Sequence, residues 1–221
     1  MQIVVLISGS GTNLQAIINR LNDETQTSIN ANIAAVISNR PGVKGLERAE
    51  QANIPTKIVD HTQYDSRENF DAALQTAIDK HSPDLVVLAG FMRILTPEFV
   101  RNYHDRMLNI HPSLLPKYQG LHTHKRALEA GDKVHGVSIH YVSEELDGGP
   151  IVVQAQVPIL NDDTEETLAQ RIHSQEYLIY PLAIEWLATG RLHFQQGKPF
   201  LDNELLPKQG YQINNFAEPD K

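Results

Sequence analysis

The sequence predicts an α/β protein: a doubly wound, mostly parallel sheet with an antiparallel C-terminal extension and a long C-terminal helix. Three observations carry the prediction. Short apolar runs alternate with helical patterns from Gln2 as far as Ile110. The first run ends in a tight glycine turn that opens a helix, the usual first unit of such folds. Asp84 to Ala89, DLVVLA, is almost continuously apolar, as expected of a strand covered on both faces.

The elements follow in order. Gln2 to Ile7 reads as the first strand, and Asn13 to Leu21 has helical spacing. Ile33 to Ile37 is a second strand and Val43 to Ala52 a second helix, with a short strand at Thr56 to Val59. Asp65 to His81 is helical, with Phe70, Leu74, Ala77 and Ile78 on one face. After the Asp84 to Ala89 strand, proline opens a short helix at Pro97 to Tyr103, and Met107 to Ile110 is the next strand. The alternation then stops. Val134 to Val142 and Ile151 to Val157 are strands joined by the SEELDGGP turn, most simply an antiparallel extension. Thr164 to Thr189 reads as one long helix closed by Gly190, with Pro181 expected to kink or split it. Leu192-His193-Phe194 and Phe200-Leu201 suggest a small hairpin before a polar tail. No repeat, low-complexity tract or linker interrupts the chain, so a single domain is the simplest count.

Composition narrows the function. The chain has 221 residues, 41 % of them apolar, enough for one α/β domain with a real core. No apolar run approaches the ~20 residues that span a bilayer. MQIVVLISGSG lacks a basic leader and reads as a buried strand, not a secretory signal. The absence of cysteine excludes disulfides, thiolate nucleophiles and zinc–thiolate sites, and fits a reducing cytoplasm. A net charge of −8 without a dense Lys/Arg cluster argues against nucleic acid as the main partner.

Ser8-Gly9-Ser10-Gly11-Thr12-Asn13 lies between a strand and a helix, where bare amides attract anions and glycines admit a phosphate. Leu14 stands where a dinucleotide fingerprint needs its third glycine, and Ser38-Asn39-Arg40 offers no acidic residue for a ribose diol. A nicotinamide cofactor is therefore not expected, nor is a P-loop. A phosphate monoester site and an unliganded glycine turn both remain.

Leu108 to Gly120, LNIHPSLLPKYQG, is the most informative stretch. Strand alternation points Asn109 and His111 the same way. Downstream, Leu146-Asp147-Gly148-Gly149-Pro150 offers a carboxylate on a glycine turn. Amide, imidazole and carboxylate together suit acyl transfer to an amine, with an oxyanion to hold and protons to move. A carboxylate beside the imidazole would favour its protonated form. Taken singly, His111 reads as a structural histidine and Asp147 as a turn residue; their pairing makes them candidates. His122 and His124 are either supporting partners or loop histidines. No histidine spacing supports a metal site. Glu176 falls between Ile172 and Ile179 on the apolar stripe of the last helix, where it needs either a substrate or a salt-bridge partner.

NIHPSLLPKYQG followed by SEELDGGPI resembles the formyltransferases that take a formyl group from 10-formyltetrahydrofolate. The likeness extends through VVLISGSGTNLQAII, DSRENF, LVVLAGFMRILTPEFV and GLHTHKRALEAGD to the last long helix. It implies a Rossmann-like formyltransferase fold. It also implies transfer of the formyl group to the amine of 5-phosphoribosylglycinamide in purine synthesis. The alternatives are a related hydrolase and an enzyme formylating tRNA-bound methionine. The latter carries an added C-terminal domain and a basic surface, and the former an extra N-terminal domain; neither is expected here. The resemblance assigns catalysis to Asn109, His111 and Asp147, and the phosphoribosyl substrate to Gly11, Thr12, Asn13, His173, Ser174, Gln175 and Glu176. It assigns the folate to Arg67, Met92, Arg93, Ile94, Leu95, Asn109, Ser143, Glu144, Glu145, Leu146 and Asp147, with His122 supporting Asp147. Read alone, Arg67 is a solvated helix-start residue, and Met92 and Leu95 are core. The expected organisation is one domain over 1–221. It comprises a phosphoribosyl-binding half at 1–105, a catalytic and folate-binding half at 106–205 and a tail at 206–221. Small-molecule substrates are the expected partners, with no metal, nicotinamide, nucleic acid or membrane, in a monomer or weak homodimer.

Overall fold

The computed structural model describes residues 1–23 and 29–214. The first half builds β1 (Gln2–Ile7), α1 (Thr12–Leu21), β2 (Asn32–Ser38), α2 (Lys44–Gln51), β3 (Thr56–Ile58), α3 (Arg67–Asp79), β4 (Leu85–Leu88) and α4 (Pro97–Asn102). The second builds β5 (Met107–His111), α5 (Thr123–Glu129), β6 (Val134–Tyr141), β7 (Ile151–Pro158) and α6 (Glu165–Ala188). Three short strands, β8 (Leu192–Gln195), β9 (Lys198–Leu201) and β10 (Glu204–Leu205), precede β11 (Tyr211–Asn214).

The main sheet runs β11-β7-β6-β5-β4-β1-β2-β3. Strands β3, β2, β1, β4 and β5 are parallel, and β6 and β7 extend the sheet antiparallel, as expected. The order reverses between β1 and β4, so the loops leaving their carboxyl ends diverge and open a crevice. Alternation along β1 sends Ile3, Val5 and Ile7 into a core shared with α1, α2 and α6, while Val4 and Leu6 face α3 and α4. Sheet burial on both faces explains why β4 and residues 3–7 of β1 are apolar at every position.

Helix starts follow local chemistry. Ser66 accepts from the Asn69 N–H to cap α3, Thr96 caps α4 ahead of Pro97, and Thr164 with Thr167 forms a capping box on α6. Pro181 was expected to kink or split α6, and it does not split it: the helix runs on over 24 residues. Proline removes one backbone donor, a cost of about 3 kcal/mol. Burial of Ile179, Tyr180, Pro181, Ala183 and Ile184 against the sheet outweighs it.

The structure adds elements that the sequence pattern does not reveal. Residues 123–129, which carry no expected helix, form α5. The expected hairpin gains a third strand, β10. Residues 211–214 fell within the expected tail; they instead pair in parallel with β7 as the edge of the main sheet. The last part of that tail, 215–221, lies outside the described residues. The division at residue 105 falls between β4 and β5, which pair directly, so it marks no break in the sheet.

Candidate active site

The Ser8 to Asn13 turn sits on α2. Gly11 adopts φ 68° and caps α1, whose first turn carries no acidic side chain. A Cβ at Gly11 would lie 2.6 Å from the Gly45 Cα, so both positions need glycine for the turn to rest on the second helix. The Gly45 N–H donates to the Gly9 carbonyl at 3.0 Å, and Arg48 Nε donates to the Ser10 carbonyl at 2.8 Å. Backbone amides of the first turn of α1 have no intrahelical acceptor, which suits an anion.

Asn13 and Glu176 meet across this turn. Asn13 Nδ2 donates to Glu176 Oε2 at 2.8 Å, linking α1 to α6. Burial raises the Glu176 carboxyl, while the Asn13 bond, His173 and His111 oppose the shift. Asn13 Oδ1 is buried without a partner among the described residues. His173 and Ser174 are exposed one turn away, with Gln175 half-buried; His173 stacks on Tyr177 at 6.3 Å.

A second polar cluster gathers around Asp147. Residues 109 and 111 project from β5, as alternation requires, and β6 lies antiparallel beside it with His140 opposite Asn109. Asp147 stands at φ 50°, a left-handed turn position that aspartate tolerates. Gly149 lets this turn close, because a Cβ there would overlap the Tyr141 carbonyl oxygen. The result brings the three predicted residues together. His111 Nδ1 lies 3.4 Å from Asp147 Oδ2, and Asn109 Nδ2 lies 3.5 Å from Asp147 Oδ1. The Gly120 N–H donates to Asp147 Oδ2 at 2.9 Å.

Two contacts set protonation and orientation here. His111 Nε2 lies 2.9 Å from the Tyr118 carbonyl, which only accepts, so Nε2 carries a hydrogen. Only the protonated ring then also donates from Nδ1 to Asp147. His140 Nδ1 likewise donates to the Tyr141 carbonyl at 2.9 Å. Burial presses the His140 imidazole down to about 4, so near neutral pH its Nε2 is a bare acceptor. That acceptor takes the Asn109 Nδ2 hydrogen bond at 3.1 Å. His140 escapes the sequence reading; its one signal is a polar residue at alternate spacing from Ser138, in a strand that also carries His135.

His122 departs from expectation. The chain turns outward at Gly120 and Leu121, leaving His122 exposed at the start of α5 and absent from the contacts of Asp147. The histidine near Asp147 is instead His140, whose Nε2 lies 3.7 Å from Asp147 Oδ1 and accepts from Asn109. Half-buried His124 pairs with buried His135 at 3.1 Å, a structural arrangement.

The loop after β4 forms the remaining wall. Met92 and Ile94 are 60 % and 59 % exposed rather than core, and Leu95 is half-buried. Leu121 and Leu146, beside the Asp147 cluster, are also exposed apolar residues. Arg93 lies 6.0 Å over the Phe70 ring, and Arg67 is exposed one turn back on the same helix. Glu144 is turned toward Arg101 in a surface pair at 3.0 Å, and Ser143 Oγ donates to the Glu145 carbonyl. Among the described residues, no group of three or more His, Cys, Asp or Glu is arranged to hold a metal ion.

Known proteins resemble this chain in sequence and fold. The formyl transferase family profile matches residues 1–184. Phosphoribosylglycinamide formyltransferase of Escherichia coli (strain K12) is 54 % identical over 96 % of this chain and 98 % of its own. The protein of the same name from Haemophilus influenzae is 48 % identical over 95 % of this chain and 98 % of its own. Among solved structures, phosphoribosylglycinamide formyltransferase from Coxiella burnetii, solved with CHES, superimposes with a TM-score of 0.91 at 52 % identity. That match covers 96 % of this chain and 99 % of the other.

Proposed function

The chain belongs to the formyl transferase family, and from that premise we propose that it moves a formyl group from 10-formyltetrahydrofolate to the amine of 5-phosphoribosylglycinamide, a step of purine synthesis. The observation that carries this reading is the convergence on Asp147 of Asn109, His111 and His140. Acyl transfer needs a donor for the nascent oxyanion and an acceptor for the amine proton, and this cluster has both.

In this reading Asn109 gives an N–H to the formyl oxygen as negative charge develops there. Protonated His111, held between the Tyr118 carbonyl and Asp147, places a positive charge beside it. Asp147 receives the proton the amine sheds as the new C–N bond forms. That proton reaches the folate nitrogen as the old C–N bond breaks, so the reaction balances without another reactant. The phosphate of the acceptor would rest on the amides of Gly11, Thr12 and Asn13, with Glu176 and its neighbours His173, Ser174 and Gln175 on the sugar and amide side. Met92, Arg93, Ile94 and Leu95 would face the pterin, the Ser143 to Asp147 turn would close over it, and Arg67 would meet the anionic tail. The subsites thus interleave: the 1–105 half supplies the phosphate turn and one folate wall, and the 106–205 half supplies Glu176 and the chemistry.

The test follows loss of the formyl donor with and without phosphoribosylglycinamide. Turnover should require the amine. His111→Asn and Asp147→Asn should each lower kcat about 100-fold or more while leaving both KM values within a few-fold. Donor hydrolysis without amine, or full activity in either variant, would overturn the proposal.

A further inference from the structure

We propose that the Ser8 hydroxyl is a positioning group for the folate-side loop, binding that loop to the turn that holds the other substrate; this rests on the function proposed above. Ser8 is the first residue after β1, and the loop over 90–96 leaves β4, the neighbouring strand across the point where the sheet order reverses. Loops at such a point diverge, and something must hold them in register. Ser8 does so with both of its capacities. Its Oγ donates to Asn39 Oδ1 at 2.6 Å and accepts the Met92 N–H at 2.8 Å. Ser8 is 5 % exposed and Asn39 fully buried, so neither bond is readily exchanged for water.

The donor direction is fixed by Asn39, at the end of β2, which leaves the serine lone pair facing Met92. A second anchor holds the other end of the loop, where the Thr96 N–H donates to Asp71 Oδ2 at 2.6 Å. Between the anchors the side chains of Met92 and Ile94 stand exposed, in place to form an apolar wall. Ser8 lies three residues before Gly11 in the same turn. Removing its hydroxyl would leave the Met92 N–H without its acceptor and let the wall shift, while the amides of Gly11 to Asn13 keep their support from Gly45 and Arg48.

Steady-state kinetics with both substrates test this on the whole chain. Ser8→Ala should raise the KM for 10-formyltetrahydrofolate about 10-fold. The KM for phosphoribosylglycinamide should stay within about twofold and kcat within about threefold. Ser8→Thr, which retains the hydroxyl, should recover most of the donor KM. Should Ser8→Ala not fold, Ser8→Cys keeps the volume with a weaker acceptor and carries the same prediction at a smaller amplitude. An unchanged donor KM in an active, folded variant overturns the role of Ser8. So does a parallel loss in all three constants. Wild-type protein that neither binds nor turns over the donor instead overturns the functional reading itself.

Discussion

His140 shows how one buried side chain can decide what another does. Its neutral ring accepts from Asn109, so the amide must present nitrogen to that side and cannot flip without setting two lone pairs against each other. His140→Phe would keep the ring and remove the acceptor. We expect kcat to fall about 10- to 100-fold with both KM values little changed, since a misaligned donor matters most when charge develops. Wild-type kcat in that variant would exclude the role. The residues legible from sequence at this scale are those whose relation is local. Asn109 and His111 are paired by strand alternation, and Asp147 is marked by its glycine turn. His140 joins them through the register of two antiparallel strands distant in sequence, and no local pattern encodes that register. His122 misled for the converse reason: its motif is near the site in sequence, but a left-handed residue at 122 turns it outward.

Among the elements, long periodic segments and strands with continuous apolar runs were readable, because burial of a face or of both faces forces the pattern. Helix α5 was not, since seven residues with exposed Lys125, Arg126 and Glu129 show little periodicity. Strand β11 was hidden by polarity: Gln212 pairs with Gln154 and Gln156 through side-chain hydrogen bonds, not apolar contact. The contact of the Ser8 to Asn13 turn, the proposed phosphate site, with α2 was also invisible, although it is testable. A Cβ at Gly45 would stand 2.5 Å from Ile7 Cδ1, 3.0 Å from the Gly9 oxygen and 3.2 Å from the Gly11 Cα. Ile7 is fully buried and cannot yield alone. Gly45→Ala should therefore displace the turn, destabilise the protein by about 1–3 kcal/mol and raise the KM for the phosphorylated substrate more than the donor KM. Denaturant unfolding together with kinetics in both substrates would show it; equal rises in the two KM values would mean the turn had not moved selectively.

For the molecule as a whole, buried neutral histidines couple stability to pH. Burial holds both His135 and His140 down to about 4, against 6.5 when exposed, and lowers His124 as well. Between those values the unfolded chain takes up protons that the folded chain does not, so stability must fall as pH falls through that window. Each of the two strongly shifted groups removes about 3 kcal/mol by pH 4. The raised carboxyls of Glu176 and Asp71 act oppositely, since the folded state binds their protons first, and they soften the acid end of the curve. Urea unfolding should lose about 3–4 kcal/mol between pH 7 and pH 5. A profile flat over that range would mean that these rings are not held neutral. The same protonation would reach catalysis, because a charged His140 no longer accepts from Asn109. In the folded chain this comes only near pH 4, so the His140 contribution to kcat should hold from pH 7 to pH 5 while stability falls, and an early loss of that contribution without unfolding would contradict it.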